Sequence, residues 1–190
     1  LQGDIVVGRG FDNKVGAFVV LEAARRLAKM NPAAEIHAVG TVQEEIGLRG
    51  GRTAAFGIDP QIGIAVDLYF ATDNPGTEDQ VRKLGKLEVG KGAILTRGPN
   101  IHPKLFDLMQ QTAAKKKIAH QVQAQSSPTG TDANAIQVSR AGVITGLVSV
   151  PNRYMHSSCE LCSLADIEAA IELIAETCAK SDDRTDFRLF

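Results

Sequence analysis

Apolar residues recur along this chain with two rhythms, and the pattern switches repeatedly from one to the other. Compact, mostly β-branched runs occupy residues 4–7, 35–42, 62–66 and 143–150, and alternating stretches occupy 87–98 and 120–125. Such runs predict strands, with 120–125 at a sheet edge; the central glycines of 87–98 suit a hairpin or a bulged strand. Helical spacing lies between them. Val15, Phe18, Val19, Ala23 and Leu27 predict a helix over 14–30, ended by Asn31-Pro32. Leu105, Leu108, Met109 and Thr112 predict another that starts within 99–103 and closes on Lys115, Lys116 and Lys117. Ile167, Ile171, Ile174 and Ala175 predict a third over 163–179, capped by Ser163. A short helix is expected over 132–140. Segments 71–85, 126–132 and 152–160 read as loops, 46–61 as a loose glycine-rich connection, and the charged residues from Lys180 onward as a fraying tail.

Strands that alternate with helices predict a helix-covered α/β sheet. At 190 residues and 44% hydrophobic, the chain can bury one substantial core, so 1–180 is expected to form one domain and 181–190 a tail. The net charge of -1 offers no basic face for nucleic acid or an anionic membrane. No run approaches the roughly 20 apolar residues of a membrane span, and a place in the cytoplasm is expected. Lys115, Lys116 and Lys117 complement a helix dipole. Three cysteines do not make a disulfide framework. Cys159 and Cys162 have CxxC spacing, but a structural zinc site wants four ligands and only Cys178 is left to help, so buried or half-buried thiols are expected. The chain enters a strand almost at once, which reads as a piece of a longer polypeptide.

The chemistry gathers around residues 41–50, TVQEEIGLRG. A predicted strand runs into Glu44 and Glu45, at the carboxyl end where open α/β sheets place their ligands. Neighbouring side chains on a strand point to opposite faces, so one glutamate is expected to reach a metal and the other to face an attacking water. A solvated loop pair is the bland alternative for two adjacent glutamates. Asp12, Asp67 and His156 also follow predicted strands. Parallel, adjacent strands would bring all five side chains to one sheet edge, where carboxylates raise one another's pKa unless cations neutralise them. Carboxylates with an imidazole suit zinc, cobalt or manganese, and two ions about 3.5–4 Å apart can share a bridging carboxylate and activate one water. Asp12 stands at a strand-to-helix junction and could equally be an N-cap.

Six pieces in order carry a family resemblance: GRGFDNKVGAFVVLE (8–22), TVQEEIGLRG (41–50), IAVD (64–67), RGPNIHPKL (97–105), SPTGTDANAI (127–136) and RYMHSSCE (153–160). The chain resembles the catalytic domain of the M42 co-catalytic metallo-aminopeptidases, the glutamyl and leucyl aminopeptidases that form large tetrahedral assemblies. The resemblance implies the mixed, mainly parallel sheet of two-zinc (phosphorylase/hydrolase-like) peptidases. It also implies two divalent ions, zinc or cobalt, a peptide substrate and a homo-oligomer. By position it makes Asp12 the carboxylate that bridges the metals, with a cis Asp12-Asn13 peptide, and Glu44 the general base. Glu45 and His156 correspond to ligands of one metal, and Asp67 to a ligand of the other. His102, Gly130, Thr131 and Asp132 fall beside the substrate pocket. Relatives add a histidine ligand and an inserted dimerisation domain ahead of the first matching piece; His37, His102 and His120 do not match that ligand.

Other readings stay open at this point. Asp132 could simply cap the helix it begins, and His102 could be a helix-start residue. Arg97 and Arg153 could contact an acidic substrate side chain. A glycoside hydrolase also uses two carboxylates, but they flank the bond roughly 5 to 9.5 Å apart, which strand neighbours such as Glu44 and Glu45 cannot do alone. A catalytically incomplete assembly or binding module is the remaining class.

Overall fold

The computed structural model describes residues 3–182 and 184–189. Its elements are β1 (Ile5–Gly8), α1 (Phe11–Met30), α2 (Arg49–Ile58), β2 (Ile62–Phe70), α3 (Glu78–Leu84), β3 (Ala93–Arg97), α4 (Pro103–Lys116), β4 (His120–Ala124), α5 (Asp132–Ile136), β5 (Ile144–Asn152), β6 (Glu160–Ser163) and α6 (Leu164–Lys180). The main sheet has the order β2-β5-β3-β4. β2 runs parallel to β5, from Ile62 opposite Ile144 to Phe70 opposite Asn152, and β3 runs parallel to β4. An antiparallel β3–β5 contact joins the two pairs. This is the mixed, mainly parallel α/β sheet expected.

Helices cover both faces. Ile64 pairs with Gly146 and Gly63 with Thr145, and successive positions face opposite ways. A Cβ on Gly146 would meet Leu105 and Met109 of α4, whereas one on Gly63 would meet Ile136 of α5. α4 and α5 therefore lie on opposite faces. Leu95, Leu105, Met109, Leu147, Val148 and Leu173 are fully enclosed in the core between β3, β5, α4 and α6.

Several expectations are corrected. Residues 35–42 have strand-like composition but no ladder partner among the described residues, and they are largely exposed. Composition favours a strand only where a neighbouring backbone is available to pair. Instead, 33–41 and the open-edged strand β2 line one cleft of about 1370 Å³, together with Gly16, Ala17 and Val20 of α1. The glycine-rich connection contains α2. Its glycines serve close approach: a Cβ on Gly50 would collide with the Val42 backbone, and one on Gly51 would lie 2.5 Å from Asp132 Oδ1. The 71–85 loop contains α3, whose acidic first turn and basic last turn suit the helix dipole. Of the hairpin and the bulged strand that 87–98 suits, the structure has a single strand, β3. β2 continues past its expected end through Asp67 to Phe70. β1 leaves the main sheet for a two-stranded ribbon with the unforeseen β6, in which Gly8 faces Glu160. α5 is shorter than 132–140. The described tail residues do not fray freely, since Phe187 packs on the core and meets the His102 ring edge-on at 5.9 Å. Leu1, Gln2, Asp183 and Phe190 lie outside the described residues.

Candidate metal centre

Asp12 is delivered by a sharp turn. After β1, Gly10 takes a left-handed conformation (φ 62) that glycine holds without strain, and Asp12 and Asn13 are still non-helical (ψ 110 and 42). The cap of the regular helix is Asn13: its Oδ1 accepts from the Gly16 amide at 2.9 Å, while its Nδ2 donates to the Val66 carbonyl at 3.0 Å. Asp12 is thereby released from capping, which settles the alternative raised by its position. The Asp12-Asn13 peptide is cis. The Asp12 amide donates to Glu160 Oε2 at 3.2 Å.

Glu44 and Glu45 are placed by a turn and not by a strand end. Gly47 N and Leu48 N donate to the Glu44 carbonyl (3.1 and 2.9 Å), and Gly50 N donates to that of Val42 (2.8 Å). Gln43 and Leu48 on either side are left-handed, with φ 60 and 55. The turn, not strand alternation, sets the directions of the two glutamates.

His156 stands in a loop whose base is closed by reciprocal Arg153–Leu161 backbone bonds (3.0 and 3.1 Å). Its backbone is left-handed (φ 62), and its ring meets Phe70 edge-on with centroids 5.8 Å apart. Nε2 lies 3.1 Å from Asp12 Oδ2 and 3.7 Å from Glu45 Oε2. One ligand atom from each of Asp12, Glu45 and His156 lies within 4.8 Å of the others, a set of two carboxylates and an imidazole that fits a divalent ion. Asp67 stands outside this cluster, within β2, its Oδ1 accepting from Leu68 N at 2.8 Å.

Electrostatics make the same point. Burial pushes Asp67 up to about 8, against the Leu68 amide and with help from Glu44, Asp12 and Asp132. Burial, then Asp132, Glu45 and Asp12, push Glu44 up to about 7. Asp12 is raised by burial and by Glu45, with His156 opposing. No lysine or arginine is among the groups that act most strongly on these three. Carboxylates gathered without basic partners suit bound cations.

The remaining candidates separate. Asp132 is buried at the start of α5; its Oδ2 accepts from Thr41 Oγ1 at 2.6 Å and its Oδ1 has no hydrogen-bond partner. The cap position of α5 is Thr131, not Asp132. Thr131 Oγ1 lies 3.0 Å from Thr129 Oγ1, which also accepts from Asn100, so Thr131 anchors its loop, while Gly130 is exposed. His102 is not brought to the cluster. Its amide donates to Thr145 O, at the start of β5, whereas Asp67 faces Ser149 four residues further along. Arg153 is engaged bidentately by Asp73 (2.7 and 2.6 Å), and the Arg97 guanidinium lies over the Phe106 ring. His37 pairs with Glu35, and His120 Nδ1 meets Ile118 O. The cysteines are free: Cys159 exposed, Cys162 buried, Cys178 between. Thr41, Phe70 and Asn13 were not foreseen; Glu160 closes the matching piece RYMHSSCE without a role assigned to it.

Comparison with known proteins identifies the family of the chain. The profile of the M42 glutamyl aminopeptidases matches residues 1–173. A lysyl aminopeptidase of Pyrococcus furiosus is 44% identical over 164 residues, covering 85% of this chain and 45% of that protein. The crystal structure of a TET aminopeptidase from a marine sediment Thaumarchaeota archaeon superposes with a TM-score of 0.87 at 32% identity, over 96% of this chain and 51% of that one. The TET1 peptidase of Pyrococcus horikoshii, which can assemble into a tetrahedron or a large octahedral shell, gives 0.79 at 28%, over 94% and 51%. The chain spans about half the length of the curated relatives it matches. With the Asp12, Glu45 and His156 cluster standing on three of the matched segments, the chain belongs to the M42 glutamyl aminopeptidase family.

Proposed function

We propose that this chain carries the metal-binding and proton-transfer part of an aminopeptidase active site that removes N-terminal residues from peptides. The observation that carries the reading is the Asp12–Glu45–His156 cluster beside Glu44. Asp12, Glu45 and His156 would hold one divalent ion, zinc or cobalt, and Asp67 would contribute to a second that shares Asp12. Such ions lower the pKa of water and polarise the scissile carbonyl. Glu44, half-buried and raised to about 7, takes the proton of the attacking water on its carboxylate and returns it to the leaving amine. Asp132, beside Glu44 and Asp67, borders the substrate pocket.

The cleft lined by 33–41 and β2 supports a further part of this reading. The relatives are about twice as long, and polypeptide of the full-size enzyme would pair across that cleft and bring the further ligand that Asp67 needs. Three free cysteines suit a reducing compartment, and none of the described helices is long and apolar enough to cross a membrane. A cytoplasmic homo-oligomer, like the shells named for the Pyrococcus horikoshii relative, completes the proposal.

The test grafts this chain into the Pyrococcus furiosus lysyl aminopeptidase in place of the segment it matches. Zinc- or cobalt-dependent release of nitroaniline from aminoacyl nitroanilides, stopped by a chelator, is expected. A folded, metal-loaded graft without turnover would contradict the reading, as would metal-independent release of reducing sugar from cellulose.

A further inference from the structure

We propose that Glu160 is a positioning residue for Asp12, so that the loop 153–161 supplies His156 and also orients the carboxylate that His156 faces. The proposal rests on the metal-site reading above.

Glu160 begins β6, opposite Gly8 of β1, and is only 2% exposed. Burying a carboxylate is costly unless it is paired and hydrogen-bonded, and no lysine, arginine or histidine forms an ion pair with Glu160 among the described residues. A neutral side chain would close the β1–β6 ribbon at lower cost. What a carboxylate adds is a strong acceptor, and it is used on the Asp12 amide, 148 positions away in sequence, at 3.2 Å. That amide needs a partner, because the backbone at Asp12 is not yet helical.

The anchor itself is fixed. Glu160 precedes Leu161, whose reciprocal backbone bonds with Arg153 close the loop that carries His156. Arg153 is held by both carboxylate oxygens of Asp73, and Asp73 Oδ2 also accepts from Val89 N at 3.0 Å. One stapled loop thus presents His156 on one side and holds the Asp12 backbone on the other. His156 Nε2 and Asp12 Oδ2, 3.1 Å apart, are both tied to this loop. Removing the acceptor deletes no ligand but frees Asp12 to turn.

The test is calorimetric titration of the chain with zinc and with cobalt, in the wild type, Glu160→Gln and Glu160→Ala. The amide oxygen of glutamine can still accept from the Asp12 amide. Glu160→Gln should keep affinity within about threefold, and Glu160→Ala should weaken it about tenfold or more, as loss of a group that orients a ligand does. Unchanged affinity in Glu160→Ala would overturn the proposal. So would a Glu160→Gln loss as large as that of alanine, which would mean that charge, not the hydrogen bond, is what counts. Amide exchange by NMR keeps the proposal testable if Glu160→Ala does not fold: the Asp12 amide should be protected in the wild type and in Glu160→Gln. Exchange at the rate of an exposed loop in the wild type would refute the contact. A wild-type chain that binds neither metal would refute the metal-site reading instead, and the Asp12 amide would still decide the Glu160 contact.

Discussion

Asn13 accepts a hydrogen bond from the Gly16 amide and, through the same side chain, donates to the Val66 carbonyl one residue before Asp67. It caps α1 and ties that cap to the strand carrying another candidate ligand, which leaves Asp12 free. Asn13→Ala should cost about 1 kcal/mol, mostly for the lost cap, since the exposed Val66 carbonyl can turn to water. Asn13→Asp keeps the acceptor and should cost less. Denaturant unfolding of the two variants checks the order; an alanine variant as stable as the wild type would contradict it.

Gly51 faces Asp132 so closely that a methyl group there would lie 2.5 Å from Oδ1. Gly51→Ala should displace Asp132, break its bond to Thr41 and cost about 1 to 3 kcal/mol, the range for overpacking. The displacement should be cushioned by removing its cause, so Asp132→Ala combined with Gly51→Ala should cost less than the sum of the single changes. Additive costs would show that the two residues do not interact.

Glu44→Gln should leave metal content unchanged and remove turnover in the grafted aminopeptidase, because Glu44 moves a proton and holds no ion in this account. Elemental analysis beside a nitroanilide assay separates the roles. Loss of metal would show that Glu44 and Glu45 have been exchanged.

Asp166 gives a pH signature remote from the metal cluster. It is buried in the first turn of α6 and accepts from the Gly90 and Gly92 amides, both at 2.6 Å. Burial nevertheless pushes it up to about 6. The folded chain therefore holds this proton more tightly than the unfolded chain, whose aspartates titrate near 4. Its stabilising share is fully present below about pH 4 and is lost as pH rises through about 6. Asp166→Asn does not titrate. The stability of the wild type relative to the variant should fall between those pH values by up to a few kcal/mol, at about 1.4 kcal/mol per pKa unit. A difference that does not change with pH would contradict the assignment.

The periodic elements were legible in the sequence, because α1, α4 and α6 each bury an apolar face and the strands β2 and β5 are built on short, largely apolar runs. The motifs named Asp12, Glu45 and His156 together, and the structure draws them into one cluster. Residues 35–42 misled because strand-like composition records the capacity to pair and not the presence of a partner. α2 was missed because Gly50 and Gly51 look like loop residues, although they are there to admit Val42 and Asp132. Asn13 and Glu160 act through backbone amides, a use that no side-chain spacing reveals. His102 stands at the start of α4, as its helix-start reading had it.

Calorimetric titration of the chain with zinc or cobalt, in the wild type and in His156→Ala, tests the account most directly. About one ion per chain should bind tightly and a second poorly, because Asp67 lies outside the three-ligand cluster, and His156→Ala should weaken the first by about tenfold or more. A wild-type chain that binds no ion, or a His156→Ala chain that binds it as tightly as the wild type, would contradict the account.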